Sequence, residues 1–289
     1  MPRNDNMKTI KIVGVPEHFN LPWHLCLENK EFAAANIDLQ WTNIPEGTGK
    51  MCQMLRNKET DIAVILTEGI IKDIVAGNDC SIVQVYVQSP LVWGIHVDAN
   101  SKYETISELE NTKIAISRLG SGSQLMAYVN AKNEGWSTDD LTFEIVNTIG
   151  GAVASLQSGK SDYFMWERFM TKPLVDAGIL RKLGDCPTPW PCFVIAVRNE
   201  ILEKNSEIIA NIQKIINNKT EKFKQIINVD KELSMRYNLK IEDMQEWLNI
   251  TDWSQENLDK QTFNKIQNQL FDLKIIDKML TFVAIVKSI

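Results

Sequence analysis

Short apolar runs alternate along the chain with longer stretches whose apolar residues recur every three or four positions, and these two periods define its elements. Residues 8–15, 37–42, 61–66, 81–86, 113–116, 142–146, 163–165 and 193–197 carry branched and aromatic side chains in short runs, so they predict strands. Residues 21–35, the stretch up to 57, and 70–76, 106–110, 124–134 and 150–158 predict the helices between them, with Pro22 acceptable in a first turn. The run 61–66 is wholly apolar after Asp61, as expected of a strand in the middle of a parallel sheet covered on both faces. The run 91–97 carries the chain from a first strand-helix group to a second, and 179–183 lead into a stiff connector at 186–191, C-P-T-P-W-P. Beyond Ile201 the pattern is helical, at 203–228, 230–237, 241–248 and 255–270, with the one-sided apolar spacing of helices that pack on a sheet.

This order predicts an α/β chain of two lobes. Each lobe has a parallel-type sheet, one made from residues 1–96 with 194–289 and the other from 97–193, and the first also carries the helical C-terminal region. Open sheets of this kind place ligands beyond the carboxyl ends of their strands, so the loops there hold the candidate residues. The strongest is K-I-A-I-S-R-L-G-S-G-S-Q-L-M, residues 113–126, where a strand hands over to a helix through Ser117, Ser121, Gly122 and Ser123. Unpaired amides of a helix start and serine hydroxyls can converge there on a carboxylate, sulfonate, phosphate or polar ring edge. Alternatively, Ser121 or Ser123 merely caps the helix.

Other loops of this kind recur. Thr67 and Glu68 follow the apolar strand, and Glu68 can either pair a cationic or N–H-bearing ligand or sit at the helix start as a dipole-stabilised carboxylate. Trp93, Trp166 and Trp190 stand at three loops where an aromatic face can stack on a planar ring, each with core packing as its alternative. Glu167 and Arg168 end a strand; Glu167 is the candidate and Arg168 the partner for an ion pair. His18 and Asn20 supply polar groups in the first loop, His18 being the one plausible proton carrier there. Thr48 lies in G-T-G-K, but Lys50 is followed by Met51, so the stretch lacks the spacing of a phosphate-binding P-loop.

Charge narrows the partners. With 289 residues, a net charge of −6 and a sequence pI near 5.3, the chain has neither the basic balance nor the basic runs of a nucleic-acid binder. No stretch reaches the ~20 apolar residues of a membrane span, which leaves a small molecule as the expected partner. Residues 1–7 are polar and do not read as a signal peptide; residues 1–6 read as an upstream start or an added segment. The five cysteines, Cys26, Cys52, Cys80, Cys186 and Cys192, form no C-x-x-C pair and show no metal-ligand spacing with His18, His24 or His96. Reduced thiols and a cytoplasmic location are expected, or a periplasmic one if a leader has been removed. No cofactor, metal or catalytic residue is expected.

The strings G-T-G at 47–49, L-T-E-G at 66–69, S-P-L-V-W-G-I-H at 89–96, I-S-R-L-G-S-G-S at 116–123 and C-P-T-P-W-P-C-F at 186–193 resemble the type II periplasmic-binding-protein-like superfamily. The similarity is to the branch that binds sulfonates, nitrate and thiamine-pyrimidine precursors, and within it to a leaderless intracellular group. The resemblance covers nearly the whole chain from Met7. It implies a clamshell that closes by a hinge over one small ligand without catalysis, and leaves any transporter or regulatory partner unknown. Serine-bearing helix starts suit a sulfonate; tryptophan faces with glutamates suit a pyrimidine-like ring. The want of an arginine clamp beyond Arg118 and Arg168 favours the ring. The alternative is an intracellular enzyme on the same fold, of the menaquinone-precursor or thiamine-pyrimidine-precursor type, although the clustered cysteine run of the latter is missing.

Overall fold

The computed structural model describes residues 7–289, so the expectation about residues 1–6 lies outside the described residues. Ten strands form two five-stranded sheets. The first sheet holds β1 (Lys8–Gly14), β2 (Ile37–Asn43), β3 (Ile62–Leu66), β4 (Cys80–Val87) and, much later in the chain, β10 (Phe193–Arg198). The second holds β5 (Val92–Asp98), β6 (Lys113–Ile116), β7 (Thr142–Ile145), β8 (Tyr163–Glu167) and β9 (Leu180–Pro187). The fold is α/β with a helical C-terminal region, as the sequence pattern predicts.

The first sheet runs β2-β1-β3-β10-β4. β1 pairs in parallel with β2 and β3, whereas β10 is antiparallel to both β3 and β4. The second sheet repeats the scheme as β7-β6-β8-β5-β9, with β6 parallel to β7 and β8, and β5 antiparallel to β8 and β9. Both sheets are therefore mixed rather than parallel. In each, the strand that follows a crossing from the other unit enters antiparallel beside a three-stranded parallel core. All six residues of β10 are buried, as its central place between β3 and β4 requires.

The chain divides into two units, the first holding the described residues up to Ser89 with Trp190–Phe271 and Ile276–Ile289, the second Pro90–Pro189 with Asp272–Ile275. The boundaries fall at 89/90, 189/190, 271/272 and 275/276, the first two several residues before the expected 96/97 and 193/194. The reason is pairing: Trp93 to His96 sit opposite Phe164 to Glu167, so the run expected to link the units is a strand of the second. Likewise, the expected connector from 186 begins as the end of β9, where Pro187 is tolerated on an edge strand.

Elsewhere the differences are in boundaries. The helix expected over 21–35 breaks into Leu21–Glu28 and Glu31–Ala34, because Lys30 takes a left-handed φ of 59°. The long C-terminal helix spans Asn199–Glu221 with a kink at Asn205, and Asn228, at φ 60°, starts Val229–Tyr237. Ile241–Ile250 follows, then Lys260–Asp272, starting five residues later than the spacing predicts. These segments pack on the first unit and cover the outer edge of β4: Val85 N–H donates to Glu256 O, Gln88 N–H to Asp252 O, and Lys287 N–H to Ile82 O. An unpaired sheet edge is thereby removed.

Candidate functional site

In the second unit, β6 ends at Ile116 and the helix Gly122–Glu134 begins six residues on. Ser117, Ser121 and Ser123 are all buried in the turn between them. Ser123 Oγ accepts the Ser117 amide at 2.9 Å and lies 3.0 Å from Ser121 Oγ and 3.3 Å from Ser117 Oγ. Ser121 is the N-cap, accepting the Gln124 amide at 3.3 Å. The capping reading of Ser121 is therefore correct, and the three hydroxyls also form one network. Gly122 and Ser123 occupy the first helical turn, whose amides have no acceptor inside their own helix.

A second helix start lies alongside. Thr148 caps Ile149–Gln157 by accepting the Gly151 amide at 3.1 Å, and Asn147 N–H donates to Ser117 O at 2.9 Å. A Cβ on Gly151 would stand 2.0 Å from Val146 O, so only glycine fits this turn. The aromatic pair of the unit is Trp93 with Trp166, edge to face at 6.3 Å. Trp166 is half-buried and stacks on Phe164, whereas Trp93 is buried.

Glu167 and Arg168 are committed to the fold. Glu167 Oε2 accepts the Met170 amide at 2.7 Å and caps Arg168–Asp176, and Arg168 pairs with Asp185 at 3.2 Å. His96 bonds Thr171 Oγ1 at 2.9 Å; burial lowers its pKa to about 4, with the nearby Lys182 charge adding to that.

In the first unit, His18 and Asn20 form the 3-10 turn His18–Asn20 behind β1, and both are fully buried. The His18 ring stacks on Phe19 at 4.7 Å and meets the edge of Trp247 at 4.5 Å. Desolvation lowers its pKa to about 3, so the imidazole is neutral and a poor base. Asn20 Nδ2 donates to Val15 O at 2.8 Å, and its Oδ1 has no partner.

Thr48 starts the helix Thr48–Arg56 after Gly47, whose φ is 74°. Its Cγ2 would lie 2.3 Å from a Cβ on Gly69, so this helix start is packed against the β3 turn. In that turn Glu68 and Trp190 bind each other: Trp190 Nε1 donates to Glu68 Oε2 at 2.8 Å, and both are buried. Desolvation raises the Glu68 carboxyl to about 7, against the opposing pull of its own backbone amide and of Trp190. Thr67 holds the next residues, its Oγ1 donating to Pro191 O at 2.7 Å and its amide to Cys192 O at 3.2 Å.

The structure thus brings together Ser117, Ser121, Gly122 and Ser123; Trp93 and Trp166; and Thr67, Glu68 and Trp190. One aromatic is absent from the sequence reading. Trp41, half-buried near the end of β2, packs its ring edge over Gly14, where a Cβ would come within 2.5 Å of it and 2.9 Å of Asn20 Nδ2. The signal was a tryptophan near a strand's carboxyl end, as for Trp166. All five cysteines are free and buried, and the described residues contain no cluster of three or more His, Cys, Asp or Glu side chains able to hold a metal. Among the described residues no helix is long and apolar enough to cross a membrane.

With its two mixed five-stranded sheets and helical C-terminal region, the chain has the periplasmic-binding-protein-like fold. Residues 93–186 match the family model described as Ca3427-like PBP. The structure is similar to that of the Candida albicans CA3427 gene product, which defines a family with the generic periplasmic binding protein fold. The TM-score is 0.89 at 26% identity, over 97% of this chain and 96% of that one.

The alkanesulfonate-binding protein SsuA of Xanthomonas axonopodis pv. citri, bound to MOPS, gives 0.82 at 15% identity over 97% and 98%. The nitrate-binding protein NrtA of Synechocystis PCC 6803 gives 0.62 at 15% over 82% and 69%. The resemblance to the sulfonate and nitrate branch read from the sequence strings therefore holds at the level of fold. No curated protein matches the sequence.

Proposed function

We propose that the chain is a non-catalytic binding protein for a small polar or heterocyclic metabolite. The observation that carries this reading is the buried Ser117–Ser121–Ser123 network at a capped helix start, with a second capped start at Thr148 beside it. Such a turn offers fixed neutral donors in a site of low dielectric, which suits a ligand read by hydrogen bonds. Similarity to proteins named for binding alkanesulfonate and nitrate supports small-molecule binding as the class of function.

A pyrimidine-like ring is favoured over a sulfonate, because Arg168 is occupied by Asp185 and Arg118 is exposed. The half-buried Trp166 offers the ring a face. The neutral, aromatic-packed His18 counts against the enzyme alternative, since at neutral pH it carries no acidic imidazolium proton and has little basicity. The free, buried thiols are consistent with the cytoplasm.

Native mass spectrometry of freshly purified, undialysed protein is expected to reveal a retained metabolite, with calorimetry on the released compound giving its affinity. Protein that retains nothing and binds no member of a panel of aminopyrimidines, alkanesulfonates and nitrate would overturn the reading.

A further inference from the structure

One buried acceptor of the first unit is left over by the fold. Asn20 is fully buried; its Nδ2 donates to Val15 O at 2.8 Å, and its Oδ1 has no hydrogen-bond partner among the described residues. Chemistry fixes the orientation of this amide. Exchanging its two ends would set two carbonyl oxygens 2.8 Å apart with no proton between them, so the free end is an oxygen and can only accept. A buried acceptor left unmatched is costly to a fold and calls for an explanation.

Beside it lies a glycine shelf with a removable cover. Gly14, the last residue of β1, sits under the benzo edge of Trp41: a Cβ there would stand 2.5 Å from Trp41 Cη2 and 2.9 Å from Asn20 Nδ2. The bare backbone of Gly14, the Trp41 ring and the Asn20 amide therefore border one small space, and a glycine lets a flat ring lie directly on the backbone. Trp41 is only half-buried. Its indole Nε1 donates to Asn43 Oδ1 at 2.7 Å, an exposed bond that water can replace, and its neighbours include the rings of His24 at 5.1 Å and Trp23 at 6.0 Å.

We infer that Gly14, Asn20 and Trp41 form the seat of a planar ligand edge that carries an N–H donor. The Trp41 ring holds the place of that ligand. On binding, the indole lifts from Gly14, the ligand ring lies on the glycine, its N–H donates to Asn20 Oδ1, and the indole face covers it. The ligand class is thereby narrowed. A sulfonate or nitrate group has no hydrogen to give, and its oxygens are repelled by a fixed acceptor, whereas an aminopyrimidine or a ring amide brings the donor. The inference rests on the small-molecule reading above and deepens it, with residues of the first unit alone.

The test uses two probes that differ by the donor, 4-aminopyrimidine and pyrimidine, titrated into isotope-labelled protein and followed by NMR at the Asn20 side-chain amide and the Trp41 indole. The amine is expected to move both signals and to bind about tenfold more tightly than pyrimidine. Methanesulfonate and nitrate should leave both signals in place. Gly14→Ala fills the shelf and should abolish the response to the amine. Its methyl also collides with Trp41, so Gly14→Ala/Trp41→Ala serves if the single variant folds poorly: the clash is relieved, the shelf stays filled, and binding should still be lost. Trp41→Ala alone leaves the shelf open and should bind more weakly than the parent while keeping its preference for the amine.

Equal affinity for the two probes, no movement at Asn20 and Trp41 with either, or undiminished binding by the folded glycine variants would overturn the seat. A metabolite retained by the purified protein that binds without moving these two signals, or that carries no donor, would also overturn it and leave the small-molecule reading standing.

Discussion

The turn after β6 and the turn after β3 are built alike: an apolar strand, a hydroxyl residue, a helix start. Their polar groups are used differently. In the β6 turn, Ser117, Ser121 and Ser123 bond chiefly among themselves, and Ser121 also caps the helix through the Gln124 amide. In the β3 turn, Thr67 and Glu68 reach across sequence to Trp190, Pro191 and Cys192, 122 to 125 residues away, and fix the strand that returns to the sheet. The difference teaches that a polar strand-to-helix turn can close on itself or tie down distant chain, and that long-range partners distinguish the two. The first turn can lose a hydroxyl and remain folded; the second cannot lose its anchor cheaply.

The largest expected effect follows. Trp190→Ala removes a buried indole and leaves Glu68 without its donor, so unfolding by denaturant should show a loss of about 3–5 kcal/mol. A loss under about 1 kcal/mol would mean that the tether is incidental.

The next effect comes from pH. Burial raises the folded pKa of Glu68 to about 7 from its ordinary 4.5, so its contribution to stability is fully present below pH 4.5 and is lost as pH rises through 7. The difference is about 3 kcal/mol. Glu68→Gln still accepts the Trp190 N–H but cannot ionise, so the stability of the parent relative to Glu68→Gln should fall across pH 4.5–7. His18 and His96, lowered by burial, contribute with the opposite sign, losing stability as pH falls below 6.5, and they cancel in this difference. Glu17, partly exposed yet also raised to about 7 by desolvation, cancels in the same way. Parallel pH profiles for the two proteins would show that Glu68 stays charged when folded.

The sequence showed the α/β class and most strands, because runs such as 61–66 and 193–197 are apolar enough to be read without tertiary context. It missed β9 and misplaced β5 for one reason. Their residues, L-R-K-L-G-D-C-P and V-W-G-I-H-V-D, mix charge, glycine and proline, and become strands only by pairing with each other and, for β5, with β8. The candidate site was legible where its bonds are local. Ser117 to Ser123 span seven residues, so strand end, glycines and helix start could be read together. Glu167 was not legible in this way: its cap on the Met170 amide could not be read from the residue's place at a strand end. Nor could the Glu68–Trp190 bond be anticipated, since nothing local links residues so far apart in sequence.

The smallest effects fall within the serine turn and separate scaffold from seat. Ser123 Oγ is the hub, accepting the Ser117 amide and lying beside both other hydroxyls, so Ser123→Ala leaves a buried amide unmatched and should cost about 1–3 kcal/mol. Ser121→Ala loses a cap, about 0.5–2 kcal/mol and at the low end if water reaches the Gln124 amide. On binding the order should differ. If the turn is the seat, each lost hydroxyl that faces the metabolite should weaken affinity by up to about tenfold, measured by calorimetry on protein confirmed as folded. Ser121→Ala is the cleaner probe, because its structural cost is smaller and a binding defect there cannot be blamed on a collapsed network. Parent-like affinity in both Ser121→Ala and Ser123→Ala would make the β6 turn a second structural junction, no different in use from the β3 turn.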